Sequence, residues 1–186
     1  MAPKATIHKA QLQVSDMDRH YYATHALTLA QHPSETSERL MVRLLAFALH
    51  ADERLEFGRG LSTDDEPDLW RKDLTGVIEL WIDVGQPDEK LIRKACGRAR
   101  EVFVYSYGGQ DPAKWWQRVG PRVGRSENLT VQHVAPATCK SLASLAARSM
   151  ELQCTIQDGH AWMASDTVSF AVELSTLQTP TAASRK

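Results

Sequence analysis

Between Glu66 and Ala95 the chain reads EPDLWRKDLTGVIELWIDVGQPDEKLIRKA, and the order of segments here constrains the fold more than any other feature. Ile78, Leu80, Ile82 and Val84 alternate with Glu79, Trp81 and Asp83, the period of a strand with one apolar face. Pro87-Asp88-Glu89 follows directly and carries the signature of a helix start. Upstream, Pro67-Asp68 precedes a short hairpin that leads into the strand. An acid, a hairpin, an acidic strand and a helix, in that order, gather carboxylates at a sheet edge, an arrangement suited to a divalent metal.

The flanking sequence supplies the rest of the fold. Residues 4–14 alternate, with Ala10, Leu12 and Val14 on one face, and Ser15-Asp16-Met17-Asp18 offers a turn into a second strand over 21–29. His32-Pro33-Ser34 stops that strand and caps a helix of roughly 34–50. A short strand is expected over 54–59, a loop or short element over 66–73, and a helix over about 88–100. Glu101–Tyr107 is apolar enough for a central strand, and Gly108-Gly109 ends it. A short helix near 111–118, a strand over 129–135 and a helix over about 137–149 follow. The last hairpin turns at Asp158-Gly159, a strong short hairpin signal. Helices alternating with strands in the middle, with hairpins at both ends, predict an α/β fold with one mixed sheet flanked by helices. Residues 1–178 read as a single domain, since no linker divides them, and 179–186 as a disordered tail.

Composition excludes several classes of partner. Of 186 residues 42% are apolar, enough to close a core. Lys plus Arg (22) balance Asp plus Glu (23), so no global field draws nucleic acid or membrane, and polyanion binding has to be local. Cys96, Cys139 and Cys154 have no paired spacing, which fits a reducing compartment without disulfides. Neither a signal peptide nor a transmembrane run is read, so a cytoplasmic protein with no membrane partner is expected. Seven scattered histidines and the lack of a G-x-S-x-G motif argue against a zinc centre or an acyl-transfer nucleophile.

From Asp52 to Asp68 the chain carries Asp52, Glu53, Glu56, Asp64, Asp65, Glu66 and Asp68 against only Arg54 and Arg59. Such a run is either a solvated acidic loop or the rim of a cleft over the strand that bears Glu79 and Asp83. Those two strand acids lie roughly 13 Å apart along the strand, whereas magnesium holds its oxygen ligands at about 2.0–2.1 Å. They cannot serve the same ion. Asp83 lies nearer the strand end, where open α/β sheets place their sites. On the 34–50 helix, Glu38 falls in line with Met41, Leu45 and Leu49. It either faces the dipole's positive end or reaches a cleft.

HPSETSERLMVRLLAFALHADERL, RGLSTDDEPDLW and IELWIDVGQPDEKLIRKA resemble the signature blocks of the bacterial YaeQ family, and the resemblance spans essentially the whole chain. It implies a compact variation of the PD-(D/E)XK nuclease fold, without implying a proven reaction. In that nuclease class the first acid opens a strand, and an acid and a lysine two apart lie on the next strand. Many members add a glutamate from the first core helix. The resemblance puts Asp68 in the first role, with Asp65 and Glu66 as competitors. It puts Glu79 or Asp83 in the second role and Glu38 in the helix role. Trp81 and Gly85 occupy the lysine positions, so a lysine shifted to the following helix, Lys90 or Lys94, is the remaining candidate. A helical wheel sets both away from the apolar stripe of Leu91, Ile92, Ala95, Cys96 and Ala99. The expected catalytic set is thus Glu38, Asp68, Glu79, Asp83 and Lys94, with Glu66, Asp68 and Asp83 as ligands for Mg or Mn. Such a metal would activate a water and steady charge on a phosphate.

One further stretch points to nucleic acid. Lys114-Trp115-Trp116-Gln117-Arg118, with Arg122 and Arg125, places four positive charges and two tryptophans together without an acid. Basic groups interleaved with aromatics hold single strands by phosphate contact and base stacking. The alternative is that one tryptophan packs inward and the rest is an exposed loop. Two functions from different classes are therefore expected: a metal-dependent nuclease acting on DNA or RNA, or a non-catalytic relative that binds nucleic acid or a protein partner in transcription or repair.

Overall fold

The computed structural model describes residues 4–60, 65–108 and 111–181. They fall into two compact units, each built from two separate stretches of chain: 1–53 with 135–173, and 54–134 with 174–186. Among the described residues there are four helices and two mixed sheets, one sheet in each unit.

The first unit opens with a long hairpin, β1 (Thr6–Asp16) and β2 (Tyr21–Gln31), paired antiparallel from Thr6↔Gln31 to Asp16↔Tyr21. Its helix α1 spans Ser37–Leu49 and is capped by the Thr36 hydroxyl, which accepts from the Arg39 N–H at 3.1 Å. The cap therefore lies two residues after the expected Ser34, which instead pairs with the His32 ring. Residues Leu40 to Ala48 are all buried, as a helix apolar on most sides requires. Beneath its start, Glu35 takes a two-pronged ion pair from Arg43 (2.8 and 2.9 Å) and a third contact from Arg39.

Helix α4 (Pro136–Ser144) and strands β8 (Ser149–Gln157), β9 (His160–Ala164) and β10 (Ser169–Val172) complete this unit. The β8–β9 turn has positive φ at Asp158 (51°) and Gly159 (74°), the conformation that Asp-Gly favours in two-residue hairpins. Asp18 of the first hairpin accepts both N–H groups of that turn, at 2.7 and 2.8 Å. The single mixed sheet expected from the sequence is not found, because the terminal hairpins do not extend the sheet of the second unit. β1 pairs parallel with β8, giving a separate five-stranded sheet in the order β10-β9-β8-β1-β2.

The second unit holds β3 (Leu55–Phe57), β4 (Leu69–Lys72), β5 (Ile78–Val84), α2 (Glu89–Arg98), β6 (Ala99–Ser106), α3 (Pro112–Val123), β7 (Leu129–Val134) and β11 (Leu174–Gln178). The sheet order is β11-β7-β6-β5-β4-β3. β5, β6 and β7 run parallel and are joined by α2 and α3, while the outer strands are antiparallel. Asp88 caps α2 through the Leu91 N–H, which makes the Pro87-Asp88-Glu89 signature a true helix start. Trp81, Val102, Val104, Leu129 and Val131 on one sheet face pack with Ile92 and Ala95 of α2 and Trp115, Val119 and Val123 of α3. β10 and β11 were not expected from the sequence.

Candidate functional site

Two carboxylates are brought together by the β4–β5 ladder, one from the residue just before β4 and one from β5. The antiparallel ladder pairs Leu69 with Ile82 and Trp70 with Trp81. One step further along the same register sets Asp68 opposite Asp83, where directly opposed Cβ atoms are about 4.5–5.5 Å apart. The Asp68 carboxylate accepts the Val84 N–H at 2.7 Å and so continues the ladder where β4 has not yet begun. Its own carbonyl accepts from the Gly58 N–H at 2.9 Å. Gly58 is required there: a Cβ at that position would lie 2.0 Å from the Pro67 carbonyl oxygen. Asp68 is buried and Asp83 half-buried. The Trp81 indole donates to Asp83 at 2.9 Å, within the same strand.

Helix α2 lines this corner with positive charge. Lys94 meets the Asp65 carboxylate at 2.5 Å, and Arg98, one turn on, donates to the Asp65 carbonyl at 3.1 Å. The Arg98 guanidinium also stands over the Trp81 ring, 5.3 Å from its centroid. Lys94, through its hydrogen bond and charge, holds the Asp65 carboxyl below its ordinary range. Burial pushes the Cys96 thiol up, and the negative charge of Asp83 adds to the shift. Lys94, Arg98, Trp81 and the Asp68–Asp83 pair thus belong to one corner of the second sheet.

Several expected residues serve elsewhere. Glu79 is held by Arg54 (3.1 Å) and Arg71 (3.2 Å), so this strand acid ties neighbouring strands together. Glu66 bonds the Arg59 N–H at 3.0 Å and pairs with its guanidinium at 3.4 Å. Glu38 belongs to the first unit, where it accepts from the Cys139 thiol; burial first, then the Glu38 charge, pushes that thiol up to about 12. Asp64 lies outside the described residues. Among the described residues, no three His, Cys, Asp or Glu side chains converge to hold a metal ion.

The basic-aromatic stretch also reads differently in three dimensions. Trp115 is 4% exposed and its indole donates to the Pro87 carbonyl at 3.1 Å, so it is a core residue and cannot stack on a base. Trp116 packs against the same core and against Gly120, where a Cβ would come within 2.8 Å of its ring. Lys114, Arg118, Arg122 and Arg125 are exposed; Arg122 pairs with Glu89 at 2.7 Å.

One pair escaped the sequence analysis. At the carboxyl ends of β6 and β7, Ser106 and His133 are opposite in register and buried, with Oγ and Nδ1 2.9 Å apart. The Nε2 of His133 is buried with no hydrogen-bond partner among the described residues. Burial lowers the pKa of this ring. The polar last residue of β6, next to the His near the end of β7, was the available signal, since open α/β sheets expose those ends.

Comparison with known proteins places these features in a family. The family model described as YaeQ protein matches residues 1–174. An uncharacterised protein YaeQ of Escherichia coli (strain K12) is 46% identical over 181 residues, covering 97% of this chain and 99% of that protein. The crystal structure of a YaeQ protein from Xanthomonas axonopodis pv. citri superposes with a TM-score of 0.90 at 56% identity, covering 95% of this chain and 99% of the other. A YaeQ protein from Pseudomonas syringae gives 0.89 at 35% identity, covering 94% and 97%. No described helix is long and apolar enough to cross a membrane.

Proposed function

The chain belongs to the YaeQ family, and on that premise we propose that it is a nuclease-fold protein that binds the backbone of nucleic acid through one divalent cation at Asp68 and Asp83. The observation that carries this reading is the opposed pair itself: two carboxylates from adjacent strands, at the carboxyl end of β5. The resemblance to PD-(D/E)XK nucleases supports it. In that class the first acid opens one strand and the second lies on the next, as Asp68 and Asp83 do here. Magnesium commonly takes only one or two carboxylates and completes its shell with waters and substrate phosphates. Two acids fit that habit. They do not fit a tight site in the absence of phosphate.

Titration calorimetry with Mn and Mg, with and without a short oligonucleotide, tests the reading. Binding of the ion is expected to tighten when the oligonucleotide is present and to vanish in Asp83→Asn. A folded sample that gives no heat with either ion, alone or with oligonucleotide, would sink it.

Hydrolysis is a second reading, favoured by the place of Lys94 on the helix that covers this corner. Lys94 is held by Asp65, and Gly85 stands two residues after Asp83 where a strand lysine is expected. Metal-dependent cutting of DNA or RNA that is lost in both Asp83→Asn and Lys94→Gln would support a nuclease. Metal-dependent binding without cutting would assign a non-catalytic binding protein.

A further inference from the structure

Helix α3 presents a stripe of cations that the acidic corner does not use. Lys114, Arg118 and Arg122 recur every four residues, so they fall within about 80° of the helical circumference and span about 12 Å. Gly124 keeps a right-handed helical conformation (φ −66°, ψ −4°), which carries Arg125 onward from the last turn. All four are exposed, and between Pro112 and Arg125 the sequence contains no acid. Among the described residues, Lys114, Arg118 and Arg125 make no ion pair. Arg122 is fixed against Glu89, and its carbonyl accepts from Arg93 of α2. On a chain of net charge −1, this is a local field, not part of a global one.

We infer that this face of α3 binds the phosphate backbone of double-stranded nucleic acid without reading its sequence, an inference that rests on the reading of the fold as nucleic-acid binding. The two tryptophans decide between duplex and single strand. Trp115 is buried, and half-buried Trp116 is packed against the core and Gly120, which leaves the stripe with cations and Gln117 and no freely presented aromatic on which a base could stack. Single-strand sites gain about 1–3 kcal/mol per base from such stacking. A face that offers charge alone gains most from the backbone with the highest charge density, which is the duplex at one charge per roughly 1.7 Å.

Fluorescence anisotropy tests this with labelled random-sequence duplex DNA, duplex RNA and single-stranded DNA, in EDTA, across a salt series. The wild-type protein is expected to bind duplexes more tightly than single strands, and binding should weaken linearly on a log–log salt plot. Each of Lys114→Gln, Arg118→Gln and Arg125→Gln should reduce the magnitude of the duplex-DNA slope by about 0.9. The triple variant should lose duplex binding in EDTA and keep its circular dichroism and melting temperature. Comparing the DNA and RNA arms tells which duplex is preferred. Asp83→Asn should leave binding in EDTA unchanged, while the α3 variants should still bind Mn, which separates this surface from the acidic corner. The inference fails if the wild type binds no duplex in EDTA at low salt. It fails equally if single strands bind more tightly, or if the triple variant keeps the wild-type slope.

Discussion

Asp68 carries two roles that two substitutions can separate. Its carboxylate accepts the Val84 N–H at 2.7 Å inside the second unit, where Asp68 is 8% exposed. Asp68→Ala would leave that buried N–H with one acceptor fewer, at a cost of about 1–3 kcal/mol. For a chain of this size each kcal/mol lowers the melting temperature by about 2–4 °C, so a fall of about 2–12 °C is expected. Asp68→Asn keeps a side-chain oxygen at the same place, and its loss should be under about 1 kcal/mol. Both substitutions remove the negative charge that the proposed cation needs, so both should abolish binding of Mn in the presence of oligonucleotide. Tryptophan fluorescence is a suitable monitor, because Trp70, Trp81, Trp115 and Trp116 belong to the second unit and only Trp162 to the first. Equal melting temperatures for the Ala and Asn variants would refute the structural half of this reasoning. Wild-type Mn affinity in the Asn variant would refute the other half.

Three further outcomes follow from the same geometry. Gly58→Ala should destabilise the second unit by about 1–3 kcal/mol, the usual cost of overpacking, because its Cβ meets the backbone at Pro67, 2.0 Å away. Gly97→Ala, with nothing within 4 Å, should be neutral or stabilising in α2, and thermal unfolding that ranks the two alike would contradict this account. In the first unit, Glu35→Leu leaves the Arg43 charge buried and should cost about 3–5 kcal/mol; adding Arg43→Leu should recover much of that, and an additive double-mutant cycle would speak against the pairing. Finally, burial lowers the His133 pKa from the ordinary 6.5, so the unfolded chain takes up this proton more readily than the folded one. The His133 contribution to stability should be full above pH 6.5 and decline as pH falls below it. The difference in melting temperature between wild type and His133→Gln, followed from pH 7.5 to 5, should change over that range and stay flat if the ring is not held neutral.

Local patterns foretold local structure. The alternation of residues 4–14, the Asp158-Gly159 turn and the Asp88 cap all correspond to elements at or near the expected places. What escaped is non-local. β1 and β8 pair in parallel although Lys9 and Ser149, partners in register, stand at opposite ends of the chain. No periodicity within either segment specifies that partner, and so the two hairpins make a sheet of their own. β10 and β11 have only four and five residues, half-buried or exposed, too few for a periodicity to stand out. α4 ends at Ser144, sooner than expected, because the chain turns at Leu145 and Ala146 toward β8.

The acidic corner was legible only in part, and the reason lies in what each carboxylate meets. The strand period puts Glu79 and Asp83 on one face, but it cannot say which has a cationic partner. Arg54 reaches Glu79 from just before β3 and Arg71 reaches it from β4, and this ion-pair cluster makes Glu79 a strand tie. Asp83 accepts instead from the Trp81 indole and stands opposite Asp68 in register, so its neighbours differ from those of Glu79. The same logic applies to Lys94. A helical wheel turns it away from the apolar stripe, yet a lysine off that stripe can still face a loop, and Asp65 is where it arrives. On the proposed reading, a bound phosphate would compete with Asp65 for Lys94. Asp65→Asn should release the lysine and tighten oligonucleotide binding in the presence of Mn. Weaker binding in that variant would mean that the Lys94–Asp65 pair is itself part of the surface that nucleic acid needs.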